Sequence, residues 1–392
     1  MTTKTSRTEQ VRAAFVARYG TEPTVWVRAP GRVDLMGSHT DYNEGYVLTM
    51  PIDRDTWIAA RPRSDRLVRL HSLNVESGGV FDLDAVAHAE ASPWTNYVRG
   101  VAAVLQAEGY ALTGFDGIVH STVPISSGLS SSAALETATA ALFQTLGGWE
   151  IDPVRMARLC QRAENEFVGM NCGILDQYTS ILGREGCALL LDCRHLTSQP
   201  VALPEDVRIV ICDTRARREL TGSEYGERRA QCEEGAGMLA RFCPGVTALR
   251  DVTREQFEAH EADLLPVVAR RCRFVIEENE RVLRLAQALP GGDRAAIRDL
   301  TAVSYAGARD LYEIGSSEMA AMMEAMLDGA GVIGARQAGA GFGGCMAAFV
   351  EAGETGAFED DVRRRYSDAT GIEPEIYPVQ AAAGAGGLHV LQ

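Results

Sequence analysis

Residues 124–134 read Pro-Ile-Ser-Ser-Gly-Leu-Ser-Ser-Ser-Ala-Ala and run directly into the apolar stretch Leu135–Leu146. A glycine- and serine-rich loop that ends where a helix begins leaves first-turn N–H groups without intrahelical acceptors. It also sets the positive end of the helix dipole beside them. Those are the conditions for holding phosphate. The lysine count sharpens the point, because the only lysine in the chain is Lys4. A GxxxxGK[ST] loop and a protein-kinase site built on a strand lysine are both excluded. A nucleoside triphosphate bound here is held without a phosphate-binding lysine.

The remaining bulk properties set wide bounds. A length of 392 residues suits two or three domains, with material for a buried core. Hydrophobic content of 46% and charged content of 23% are those of a soluble globular protein. The net charge of −15 argues against nucleic acid or an anionic membrane as partner, since both reward a basic surface. Nine cysteines lie scattered from Cys160 to Cys345 without a C-x-x-C pair, which reads as free thiols in a reducing cytoplasm. The polar start of the chain lacks a signal-peptide core, and no apolar run of about 18 residues occurs. The expected location is cytoplasmic, with no membrane partner.

Periodicity predicts a helix over Glu9–Arg18, a strand at Thr24–Ala29, and a polar, loop-like stretch Pro30–Glu44. Strands follow over Gly45–Ala60, then helical spacing from Trp94 to Glu108 and a strand at Gly117–Val123 feeding the serine loop. Residues 152–167 read as helix, with a second helix opening at Leu175–Leu182 after the loop Gly169–Gly173. Strands are expected at Cys187–Asp192, Val207–Asp213 and Cys345–Val350, and a long helix from Ser223 to about Phe242. Strands mixed with helices throughout indicate an α+β protein of two lobes, divided near 195–210.

Three motifs carry chemistry. The first, Arg28 to Gly45, gathers Arg32, Asp34, Ser38, His39, Asp41 and Asn43 on a backbone punctuated by Gly31, Gly37 and Gly45. Such side chains suit a polyhydroxy ligand, although a solvated turn has the same composition. The second, Ala163 to Gln177, places Glu164 late in one helix and Asp176 in the first turn of the next. Asp176 in that position is equally open to a charge–dipole role. The third, Gly334 to Gly344, carries Gly-x-Gly-x-Gly-Gly before a strand, a pattern that also serves tight turns.

In this order and spacing, the three motifs resemble those of the GHMP sugar and metabolite kinases, most nearly the galactokinase branch. The resemblance rests on Gly31-Arg32-Val33 through His39-Thr40-Asp41-Tyr42-Asn43, on Gly128 to Ala134, and on Asn171-Cys172-Gly173-Ile174-Leu175-Asp176-Gln177. Ser223-Glu224-Tyr225 and Gly339-Ala340-Gly341-Phe342-Gly343-Gly344 complete it, so that it spans residues from about 24 to 380. It implies a two-lobed α+β fold, with mixed sheets and helices in each lobe and the active site in the cleft between them. The lobes are expected at 1–205 and 206–392.

It also implies ATP-dependent phosphorylation of the anomeric hydroxyl of galactose or a close analogue, with Mg²⁺. Arg32 and Asp176 become the catalytic pair, with Asp176 orienting the hydroxyl and taking its proton late. Ser127, Gly128, Leu129, Ser130, Ser131 and Ser132 are implied to hold the triphosphate, and Trp94 and Tyr97 the adenine. Ser131, Ser132 and Glu164 are implied for the metal, and Ser38, His39, Asp41, Gly173, Asp176 and Tyr225 for the sugar. A monomer or weak homodimer is expected, with sugar and ATP as the partners.

The chain departs from the branch at three positions. Galactokinases carry Gly-Glu-His-Thr-Asp where this chain has Gly37-Ser38-His39-Thr40-Asp41, and that glutamate is expected to bond the hydroxymethyl group of galactose. Asp34 and Met36 stand where Asn and an aliphatic residue are usual. Serine is shorter and uncharged, which leaves three substrates in view: galactose held less tightly, L-arabinose, or a uronic acid such as galacturonate. A sugar- and ATP-binding sensor without turnover is the remote alternative, against which the retention of Arg32 and Asp176 weighs.

Overall fold

The computed structural model describes residues 6–125, 127–216 and 223–388; Lys4 and Ser126 lie outside them. Helix α1 (Arg7–Tyr19) begins on a capping box between Ser6 and Glu9. Its Val11 and Phe15, one turn apart, bury against Ala59 and Ile118 of the first sheet.

That sheet contains β1 (Val25–Met36), β2 (Tyr46–Pro62), β3 (Leu67–Ser72), β4 (Ser77–Asp82) and β5 (Phe115–Ser121). The order is β12-β1-β2-β5-β3-β4, where β12 (Gly386–Gly387) is a late return of the chain; β6 (Cys187–Asp192) and β7 (Thr197–Ala202) extend it from β2. It is mixed, with β3 and β5 parallel among antiparallel neighbours. Alternation decides what each face covers: Ile58, Ala60 and Val119 point to the opposite side from Ala59 and Ile118. There they join a core with α2 (Thr95–Ala107), α3 (Ser131–Gly147) and α4 (Pro153–Arg162). Helix α5 (Leu175–Leu182) packs on β1 and β2 nearby.

The second sheet is antiparallel, in the order β11-β8-β10-β9, with β8 (Val207–Asp213), β9 (Val332–Gln337), β10 (Cys345–Glu351) and β11 (Glu375–Val379). Val210, Cys212 and Val350 face α10 (Ser317–Leu327) and α11 (Thr355–Thr370). Ile209, Ile211 and Phe349 face α8 (Pro266–Ala288) and α9 (Arg294–Asp310), in a core that also takes Val33, Leu35 and Met50 from the first sheet. One core therefore joins the two sheets beneath the cleft. Helices α6 (Ser223–Leu239) and α7 (Arg254–His260) complete the second half.

Two sequence expectations need correction. Pro30–Met36 is strand and not loop: β1 runs through the first motif, pairing Arg32 with Pro51 and Asp34 with Thr49. Irregularities at Pro30/Arg32 and Asp34/Met36 re-aim the polar side chains without ending the strand. Polar composition suggested a loop, but the ladder with β2 satisfies the backbone and leaves those side chains for the cleft. The sequence analysis also gives no hairpin β3–β4, because the alternation of β3 spans only six residues and β4 carries the glycine pair Gly78–Gly79. All nine cysteines are free. Among the described residues, no helix is long and apolar enough to cross a membrane.

Candidate active site

A cleft of about 1520 Å³ brings the motifs together, lined by Arg32, Ser130, Glu164 and Asp176 from one side and Tyr225 and Gly339 from the other. Its centre is built where β1 meets the serine loop. A Cβ on Gly31 would stand 2.7 Å from the Leu129 carbonyl oxygen, so only glycine permits this approach. The next residue, Arg32, donates its backbone N–H to that carbonyl at 3.1 Å. Its Nη1 donates to the Gly128 carbonyl at 2.7 Å. The other guanidinium nitrogens grip Asp176 Oδ1, Nε at 2.7 Å and Nη2 at 2.6 Å. Ser130 Oγ closes the arrangement by donating to Asp176 Oδ2 at 2.5 Å.

Ser130 is the N-cap of α3 and is left-handed, with φ of 60°. That turn directs its hydroxyl to Asp176, where the sequence implied phosphate. Ser127 is buried and gives its hydroxyl to Pro124 O at 3.0 Å. Leu129 is wholly buried in the joint core. Ser127 lines the cleft, whereas Leu129 does not. Ser131 and Ser132, in the first turn of α3, line the cleft. Trp94 and Tyr97 line it too, the indole N–H fixed on Ser77 Oγ at 2.9 Å.

Glu164 sits on a π-helical turn, Ala163–Val168, that continues α4. Such turns often mark functional positions because the widened coil displaces a side chain. Gln177 Nε2 donates to Glu164 Oε2 at 2.6 Å and to Glu136 Oε2 at 2.9 Å. Burial, and then the neighbouring Asp176 charge, raise the Glu164 carboxyl above its usual range. Glu136, wholly buried behind it, is raised further by burial and by Glu164, and its Oε1 has no partner among the described residues. This corner gathers two buried carboxyls beside the first-turn serines of α3. One carboxylate with serine hydroxyls is an oxygen donor set suited to Mg²⁺, which keeps waters and substrate phosphate oxygens as its other ligands.

At the other end, Asp41 faces Gly173. A Cβ at Gly173 would overlap the Asp41 carboxylate. Burial, with help from the Asp176 and Asp34 charges, raises the Asp41 carboxyl to about 6. His39 is held with φ of 66° and has both ring nitrogens engaged. Nε2 lies 2.9 Å from the Ala340 carbonyl and Nδ1 2.9 Å from Tyr42 Oη. A carbonyl only accepts, so Nε2 carries the proton; burial lowers the imidazole to about 4, so Nδ1 is bare and accepts from Tyr42. Tyr42 then accepts from Tyr312 at 2.7 Å. His39 therefore clamps the first motif to the third and offers the cleft its ring. Tyr225 lies beside it at a tilt of 37°, with ring centroids 5.4 Å apart.

Ser38 is not at the edge of a gap. Its hydroxyl donates to Asp34 Oδ2 at 2.6 Å and accepts from Arg336 Nη2 at 3.0 Å. Arg336, Glu278 and Ser304, which form this buried group, were not singled out in the sequence. Arg336 was legible only as part of the third motif, and Glu278 lies mid-helix where nothing distinguishes it from a surface glutamate. Gln177 and Glu136 were also missed as partners of Glu164.

A lysine-free serine–glycine loop at a helix N-terminus, an arginine–aspartate pair at its lip and a corner of carboxyls beside it fit a small-molecule kinase. The N-terminal half matches the family model described as "GHMP kinases N terminal domain" over residues 96–184, and residues 13–62 match the "Galactokinase galactose-binding signature". The galactokinase of Roseiflexus sp. (strain RS-1) is 42% identical over 379 residues, 97% of each chain. That of Chloroflexus aurantiacus is 41% identical over 374 residues, 95% of each. The crystal structure of Lactococcus lactis galactokinase complexed with galactose superposes with a TM-score of 0.91 at 33% identity, covering 96% of this chain and 98% of that one. This chain belongs to the galactokinase family.

Proposed function

We propose that the chain transfers the γ-phosphoryl group of ATP to the anomeric hydroxyl of galactose, giving galactose 1-phosphate and ADP. Family membership supports the reaction, and the Arg32–Asp176–Ser130 contact at the mouth of the phosphate loop carries the mechanism. L-arabinose and galacturonate are not favoured, because the relatives that match over nearly their full length are galactokinases.

In this reading Asp176 receives the C1 hydroxyl. One of its oxygens is held by Arg32 and the other by Ser130, so it orients the nucleophile and takes the proton late. Phosphoryl transfer asks chiefly for positioning and charge stabilisation. Arg32, anchored on Gly128 O, lies where charge builds on the transferring group and stabilises it. Backbone N–H groups of Gly128 to Ser132 and the α3 dipole hold the triphosphate, and Trp94 and Tyr97 flank the adenine. Ser131, Ser132 and Glu164 hold Mg²⁺, which when bound neutralises phosphate charge. Asp41, Gly173 and Tyr225 shape the sugar end. The working unit is a pair of lobes, 1–205 and 206–392.

The test is ADP release measured with galactose, L-arabinose, galacturonate and N-acetylgalactosamine side by side. Galactose is expected to have the highest kcat/KM. A higher value for another sugar overturns the substrate, and binding of sugar and ATP without ADP release overturns the reaction.

A further inference from the structure

Asp34 is wholly buried and borders the cleft beside Ser38. Its Oδ2 is occupied by the Ser38 hydroxyl, but Oδ1 accepts no hydrogen bond among the described residues. A buried carboxylate oxygen left without a donor is costly, and such an exception calls for a reason.

Comparison with Glu278, in the same buried group, shows that the shortage is local. Glu278 Oε1 accepts from Ser304 Oγ at 2.7 Å, Gly37 N–H at 3.2 Å and Arg336 Nη2 at 3.3 Å. Its Oε2 accepts from Arg281 Nε at 2.7 Å. Burial works against its charge, yet the Arg281 and Arg336 guanidiniums prevail and hold the carboxyl below its usual range. Asp34 is the reverse: burial raises its carboxyl, and Arg336 offsets this only in part. Arg336 commits its donors to Ser304, Ser38, Glu278 and the Asp34 backbone carbonyl. It comes no nearer than 3.7 Å to Asp34 Oδ1. The protein saturates the carboxylate away from the cleft and leaves the one at the cleft a donor short.

Placement says what the missing donor belongs to. Arg32 and Asp34 pair in regular register with Pro51 and Thr49. They therefore project from the same face of β1, about 6.6 Å apart along the strand. That is roughly the reach from the anomeric oxygen of a pyranose, held at Arg32 and Asp176, to the substituents on the opposite side of its ring. Oδ1 is buried as it stands, but the terminal torsion of a carboxyl is soft, so a small turn that keeps the Ser38 bond to Oδ2 brings Oδ1 toward the cleft.

We propose that Asp34 is a specificity-determining residue whose carboxylate accepts a sugar hydroxyl on the side of the ring opposite the anomeric carbon, at C4 or C6, with Ser38 and Arg336 fixing its position. This rests on the reading of the cleft as a galactose site. It turns the serine at position 38 from a lost contact into a support: the acceptor stands four residues earlier on the strand. A substrate without that hydroxyl forfeits a charge-assisted bond, and a uronate presents a carboxylate to a carboxylate.

The experiment compares kcat/KM for galactose, 4-deoxygalactose and 6-deoxygalactose in the wild type and in Asp34→Asn. The wild type should favour galactose over one of the two deoxy sugars by about 10–100-fold, the range of a hydrogen bond to a charged acceptor. Asp34→Asn should collapse that ratio at least tenfold, mainly through KM, and leave the ratio for the other deoxy sugar within threefold. Equal wild-type use of all three sugars overturns the proposal, as does a ratio unmoved by Asp34→Asn. Should Asp34→Asn fail to fold, Ser38→Ala, which removes the support of the carboxylate, is compared in its place and should move the same ratio; an unmoved ratio there overturns the proposal. Galactose turnover with an unmoved ratio sinks this inference alone, whereas no galactose-dependent ADP release in the wild type sinks the kinase reading with it.

Discussion

Replacing Gly173 with alanine tests how the sugar end of the cleft is built. A Cβ at this position would overlap Asp41 Oδ2 outright and stand 2.5 Å from Cγ, whereas ordinary contact begins near 3.4 Å. The carboxylate must therefore retreat by more than about 1 Å, a misplacement that typically costs at least about 100-fold in turnover efficiency. A second estimate agrees: losing a hydrogen bond to a charged group costs about 1.5–3 kcal/mol, or about 10–150-fold. Gly173 does not have a left-handed backbone conformation, so alanine brings no strain beyond the clash. Asp41 lines the cleft and can swing into it, so the melting temperature should stay within about 4 °C of wild type. Steady-state ADP release should show kcat/KM for galactose down by about 100-fold, carried by KM, with KM for ATP changed less than about threefold. In an Asp41→Ala background the same substitution should do almost nothing, because the two act through one contact. Retention of kcat/KM within threefold, or additive losses in the double variant, would refute the reasoning.

Two further outcomes follow from the geometry. Ser130→Ala removes the 2.5 Å bond to Asp176 Oδ2 but keeps the backbone N–H, so kcat should fall about tenfold with KM for ATP nearly unchanged; a raised KM for ATP at constant kcat would return the hydroxyl to the triphosphate. The second concerns Asp41, raised by burial to about 6. Between its unfolded value and 6 the folded chain holds a proton that the unfolded chain releases, so this group stabilises the fold at low pH and ceases to as pH rises through 6. Sugar hydroxyls bond to the ionised form, so galactose should bind more tightly at pH 7 than at pH 5 and expel up to about half a proton at pH 6. Calorimetry in two buffers of different ionisation enthalpy reads that release, and an equal release from Asp41→Asn would refute the assignment.

What could be read in the sequence, and what could not, divides along the range of the interactions. The loop at 124–134, the missing lysine and the ordered motifs are local facts. They were enough for the α+β class and the family, because glycine, serine and helix termini act through backbone geometry that neighbours in sequence define. The first motif shows where that stops. Its polar composition resembled a loop, yet β2, some 15–20 residues further on, recruits it into a strand. The partners of single side chains were less legible still. Ser130 bonds Asp176 across 46 residues, and His39 reaches Ala340 across 301. Ser38 shows the limit most plainly: by itself the sequence recorded a glutamate replaced by a smaller, neutral residue. Only the fold places Asp34 beneath it and Arg336 against it, and aims Glu278 to draw off that arginine. A buried charge is defined by which opposite charges reach it, and those come from strands and helices that meet in space alone.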